Sequence, residues 1–119
     1  MARVPTPKRG EICLIDFDPA VGAEIRKHRP AVVINLDEIG RLPLRIVVPV
    51  TDWKPHYDSY PWFARLVPSV ANGLAKESGA DAFQIKPLAC DRFVRLIGRL
   101  SKLELEEITQ AIALCVGVP

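Results

Sequence analysis

Apolar residues fall in short runs along most of this chain, and only the C-terminal segment carries a longer period. Residues 11–17 (EICLIDF) open the series as a predicted strand, ended by Asp18-Pro19, where the proline imposes a turn or extended geometry on Asp18. Residues 31–35 (AVVIN) and 44–50 (LRIVVPV) are rich in β-branched side chains, which suit a half-buried pleated surface. Asp37, Gly40 and Pro43 mark the connection between them as a loop. Pro49 has no amide hydrogen to give a ladder, so an edge position or a bulge is expected there. Residues 62–67, 82–86 and 94–100 complete the strands, with a single helical turn expected within 88–93. Residues 1–8, with Pro5 and Pro7, read as a flexible lead.

The last segment is the clearest helix. Ser101-Lys102-Leu103-Glu104 fits a capping box, in which the serine oxygen and the glutamate carboxylate each take a free amide at the helix start. Leu105, Ile108, Ile112 and Cys115 recur at helical spacing and predict one buried face; Gly117 and Pro119 end the element. About six short strands and one C-terminal helix give a mostly β (α+β) fold, a small bent sheet or partly open barrel forming one domain over 1–119.

With 119 residues, 49% hydrophobic and 25% charged, the chain can bury a core without staples. Three scattered cysteines lack metal-site or C-x-x-C spacing and read as reduced thiols. No apolar signal region or membrane-length stretch is present in the sequence, so a cytoplasmic protein with no membrane contact is expected. The net charge is only +2, so any affinity for nucleic acid must come from a local cluster.

Such a cluster exists in Glu24-Ile25-Arg26-Lys27-His28-Arg29-Pro30. Arginine offers a planar fork of donors suited to phosphate, and histidine can move a proton near neutral pH. A solvated loop without a role accounts for the same run equally well. Thr51, closing the 44–50 run, is either a turn residue or a hydroxyl that orients a phosphate. Gln84 and Lys86 are expected on one face of a strand. Trp53, His56, Tyr57, Tyr60, Trp62 and Phe63, close to Lys54 and Arg65, suit stacking on unpaired bases, or a core or dimer contact. Two histidines are too few for most metal sites, and no metal or other cofactor is predicted.

Several of these segments, in this order, resemble the MazF/PemK toxins, endoribonucleases of toxin–antitoxin pairs. The carriers are Arg9-Gly10-Glu11, Asp18-Pro19 with Gly22-Ala23-Glu24, Arg29-Pro30-Ala31-Val32-Val33, Val48-Pro49-Val50-Thr51, Gln84-Ile85-Lys86 and Arg99-Leu100-Ser101. The resemblance spans Arg9 to about Val118. It implies an SH3-like barrel, a homodimer with an RNA groove across its interface, and a cognate antitoxin laid over that groove. It also implies Arg29 and Thr51 as catalytic residues, single-stranded RNA as substrate, and attack by a ribose 2′-hydroxyl that leaves a 2′,3′-cyclic phosphate. Glu24, Arg26, Lys27, Lys54, Gln84 and Lys86 are then expected to contact RNA.

The chain departs from that pattern in places. Lys86 stands where the family usually has arginine, and Phe83 where some members have an acidic base; Asp81 lies two positions earlier. Ala23 stands where some relatives have a histidine, which makes His28, beside Arg29, a candidate replacement for proton transfer. Two other readings compete: a CcdB-like inhibitor of gyrase, and a catalytically weakened RNA binder.

Overall fold

Strand β1 (Glu11–Asp16) is buried on both sides, which explains its nearly continuous apolar run. Ile12 joins one core cluster with Val32, Val48, Val50, Leu66 and Ile108, whereas Cys13 and Ile15 join another with Ala31, Val33, Val47 and Phe93. The computed structural model describes residues 6–39 and 42–119. In it β1 is followed by β2 (His28–Val33), β3 (Leu44–Asp52), β4 (Phe63–Leu66), β5 (Ser78–Asp81), β6 (Lys86–Ala89), β7 (Phe93–Arg99) and the helix α1 (Lys102–Cys115). The strands form one antiparallel sheet in the order β4-β5-β3-β2-β1-β7, with β6 also paired to β3.

The mostly β fold with a terminal helix is as expected, with seven strands among the described residues where about six were expected. Residues 82–86 do not form the predicted strand. Asp81 accepts a hydrogen bond from the Phe83 amide at 3.2 Å and turns the chain into a short 3-10 turn, Ala82–Gln84. The strand lies just before, in β5, whose small residues carry no apolar alternation. Gly79 suits the crowding there: a Cβ would stand 3.0 Å from Phe63 Cδ2 and 3.1 Å from Trp53 Cε3, so one of the rings that cross the strand would have to shift. Strand β2 starts three residues early because its pairing with β1 runs on to His28 opposite Asp16. The helical turn expected within 88–93 is confined to Cys90–Arg92.

Pro49 is not at an edge; it pairs with Ala31 inside the sheet. The Ile34 amide donates to Ile46 O, so strand alternation aims Val48's backbone groups at β2 and Pro49's away from it. On that far side β3 pairs with β6 through Val47 and with β5 from Val50. The missing amide falls in the gap. The start of the chain also differs from the expected flexible lead: Pro7 is buried and its carbonyl accepts from Arg45 Nε at 2.8 Å. Met1 to Pro5 of that lead, and Gly40 of the predicted loop, lie outside the described residues.

Helix α1 begins as its sequence requires. Glu104 N donates to Ser101 Oγ at 3.1 Å and Ser101 N to Glu104 Oε1 at 2.8 Å. Ile108 and Ala111 are buried, and Leu105 and Ile112 pack against the same core. Gly117, at φ +74°, lets Val118 N reach back to Ala113 O at 2.8 Å. No helix among the described residues is long and apolar enough to cross a membrane.

Candidate active site

Arg29 and Thr51 reach one sheet face from adjacent strands. Arg29 lies opposite Ile15, and two residues on Ala31 faces the same core as Ile15. Across β2 and β3 the last pair is Ala31 with Pro49. One further two-residue step along each strand reaches Arg29 and Thr51, which share the face of Ala31 just past the last paired position. Val50, between Pro49 and Thr51, belongs to the opposite core. Thr51 stands opposite Gly79, and the Trp53 and Phe63 rings lie over that glycine.

The Thr51 hydroxyl is buried and has no hydrogen-bond partner. An unmet hydroxyl away from water is unfavourable by about 1–3 kcal/mol, and such groups are uncommon without a ligand or ordered water. Arg29 is half-buried, and its Nε donates to Arg26 O at 3.3 Å. That leaves the terminal guanidinium nitrogens as the bidentate end available to a phosphate.

The segment between β1 and β2 delivers Arg29 and is tied down by side chains from elsewhere. Lys27 has φ +68°, a left-handed conformation that few non-glycine residues adopt. Its amide donates to Asp18 Oδ1 at 3.0 Å, and its carbonyl accepts from Phe17 N at 2.9 Å. Arg92 Nη1 donates to Asp16 O at 3.3 Å and to Asp18 O. Gln84 accepts from Ile25 N at 2.7 Å and donates to Ala23 O at 3.3 Å. Lys86 pairs with Glu24 at 4.0 Å, and Glu24 also accepts from Val21 N at 2.7 Å. Arg26 Nη2 closes the set on Ala20 O at 3.3 Å.

Gln84 and Lys86 therefore converge on the loop, although not as neighbours on one strand: the first closes the Ala82–Gln84 turn and the second opens β6. His28 is exposed, and alternation sends its ring to the face opposite Arg29. Lys54 lies beyond Thr51 at the entrance to the 3-10 turn Pro55–Ser59. Asp18 and Arg92 were not foreseen as ties on this loop; the Asp18-Pro19 pair signalled a turn and helped carry the family resemblance, and Arg92 had no pattern to mark it. Asp81 is buried, and burial raises its carboxyl above the usual range against the pull of the Phe83 and Gln84 amides.

Residues 8–116 match the family described as PemK-like, MazF-like toxins of type II toxin–antitoxin systems. Endoribonuclease MazF9 of Mycobacterium tuberculosis is 38% identical over 113 residues, which cover 90% of this chain and 93% of that protein. The crystal structure of MazF from Deinococcus radiodurans aligns with a TM-score of 0.80 at 22% identity, over 96% of this chain and 99% of that one. A mycobacterial endoribonuclease solved in complex with its cognate antitoxin aligns at 0.76 and 18% identity, over 95% and 97%. Those two structures establish the shared fold. The family match over nearly the whole length establishes more: the chain belongs to the PemK-like, MazF-like toxins of type II toxin–antitoxin systems.

Proposed function

We propose that this toxin is an endoribonuclease that cuts single-stranded RNA without a metal, with Arg29 and Thr51 acting on one phosphate. The observation that carries this reading is the buried Thr51 hydroxyl without a partner, on the same strand face as a half-buried arginine one step past the last β2–β3 pair. A non-bridging phosphate oxygen would accept from that hydroxyl, and the Arg29 guanidinium would offset the charge that builds on the phosphorane. The ribose 2′-hydroxyl attacks phosphorus and gives up its proton, the bond to the 5′-oxygen breaks, and that oxygen takes up one proton, so none is gained or lost overall. The products are a 2′,3′-cyclic phosphate and a 5′-hydroxyl. Of the two positions considered for proton transfer, alternation favours Arg29 over His28.

The partners follow the same reading. A cognate antitoxin would cover the groove, as the mycobacterial endoribonuclease is found in complex with its own. A second copy of the chain would cover exposed apolar side chains such as Leu114, Val116 and Val118. We read the chain as one cytoplasmic toxin domain.

The test is a long single-stranded RNA incubated with pure protein and excess chelator. Discrete fragments ending in 2′,3′-cyclic phosphate are expected, and none where the 2′-hydroxyl at the cut site is replaced by hydrogen. Arg29→Ala and Thr51→Ala should each lower the single-turnover rate by about 100-fold or more. Cleavage that needs added metal, or that survives both substitutions, overturns the reading.

A further inference from the structure

Phe83 turns a large flat ring to solvent, with 72% of the residue exposed. Behind it stands a wall of rings. Trp62 lies 6.2 Å away, Tyr60 stacks on Trp62 at 4.7 Å, and Tyr57 stacks on Phe63 at 3.9 Å. The far end of that wall is Trp53, which with Phe63 crosses Gly79, the residue opposite Thr51. The aromatic surface is therefore continuous with the Arg29–Thr51 face and ends at Phe83.

In front of Phe83 a groove of about 380 Å³ separates the Ala82–Gln84 turn from the β1–β2 loop. Val21, Ile85 and the Phe83 ring give it apolar walls, and Glu24 and Lys86 stand on its rim 4.0 Å apart. The Gln84 amide is already engaged with the loop backbone on both its oxygen and its nitrogen. The Lys86 ammonium and the second Glu24 carboxylate oxygen face each other beside an exposed π-face, while the first Glu24 oxygen accepts from the Val21 amide. A ligand edge would enter between the two charges.

We propose that this groove is a subsite for one unpaired base of the RNA chain, stacked on Phe83 and met at its edge by Lys86 and Glu24. The proposal deepens the function given above and rests on it. A flat heterocycle whose edge carries both a donor and an acceptor satisfies all three groups at once, whereas an aliphatic protein side chain satisfies only the ring. Arg26 and Lys27 on the loop and Arg29 in β2 supply the positive charge that a sugar–phosphate backbone needs on its way from the subsite to Thr51. Phe83 is then a specificity residue: it selects which nucleotide sits near the cut and takes no part in the bond-breaking step.

The experiment is a double-mutant cycle between protein and RNA. Short single-stranded RNAs, fully 2′-O-methylated so that they cannot be cut, carry one abasic residue walked along their length. Their affinities are measured for the full-length protein, Phe83→Leu and Phe83→Trp. For the unaltered protein, one abasic position is expected to weaken binding by about 5- to 100-fold, the range of a lost base–aromatic stack. The same position should matter less than about 2-fold in Phe83→Leu and keep its effect in Phe83→Trp. Phe83 is exposed, so Phe83→Leu opens no cavity, and an unchanged melting temperature checks this.

Equal abasic penalties in the unaltered protein and Phe83→Leu overturn the proposal and hand the groove to a protein partner. If unmodified RNA is cut as described but the cycle shows no coupling, the subsite fails alone. Coupling with RNA that is never cut keeps the subsite and sinks the nuclease reading.

Discussion

Asp81 holds its proton more tightly in the folded protein than in the unfolded chain, because burial penalises its charged form. For a carboxyl shifted upward, the stabilising contribution is full below the unfolded value and is lost as pH rises through the folded value. Asp81→Asn keeps an oxygen for the Phe83 amide and removes the charge. We expect the variant to gain on the unaltered protein in urea-midpoint stability as pH is raised from about 4 to about 7. Parallel curves over that window would refute this. Residues of this kind are partly legible in sequence: Arg29 and Thr51 stood out because charge and hydroxyl broke apolar patterns. Asn72 did not. It is fully buried, its Oδ1 accepts from Ser69 N and Leu74 N, and its Nδ2 donates to Val67 O and Glu104 Oε2. Those partners come from two separate parts of the chain, and no local pattern announces them.

Elements were readable in proportion to how local their causes are. The helix was legible because its cap and its apolar face are set within a few residues of each other. Strand β5 was not, since Ser78-Gly79-Ala80-Asp81 is a strand only through its neighbours β3 and β4. The approach of the segment before β5 to β7 is equally non-local. Arg99 N donates to Ala71 O at 2.8 Å, and a Cβ at Gly98 would stand 2.3 Å from Asn72 O. Backbone cannot yield there as a side-chain tip would. Gly98→Ala is therefore expected to reduce stability by about 2–4 kcal/mol, seen as a lower urea midpoint at unchanged slope. A loss under about 0.5 kcal/mol would mean that the two segments separate easily.

Several motifs that carried the family resemblance do structural work across the whole molecule. Arg9 Nη1 donates to Ile34 O, Gly10 adopts φ +86°, and Glu11 pairs with Arg99 at 3.0 Å. These contacts hold the start of β1 against the end of β2 and against β7. The gyrase-directed alternative is not favoured, since the chain lies within the MazF-like toxins over residues 8–116. A global readout of the fold is available in Cys13, fully buried, its thiol pushed up to about 12 chiefly by burial. Alkylation of Cys13 should require unfolding of the entire sheet and rise with urea at the slope of the full transition, after Cys90 and Cys115 have reacted. Early labelling of Cys13 would show that β1 opens on its own.

The absent amide at Pro49 has a mechanical consequence. Strand β3 is a shared rail: one stretch carries β6, the next carries β5 and β4, and no hydrogen-bonded ladder among the described residues joins those two sets directly. Arg29 rides with β1 and β2 on one side of that joint, and Thr51 lies two positions past it on the other. A small twist of the β5–β4 flap would therefore change the spacing of guanidinium and hydroxyl without disturbing either strand's own pairing.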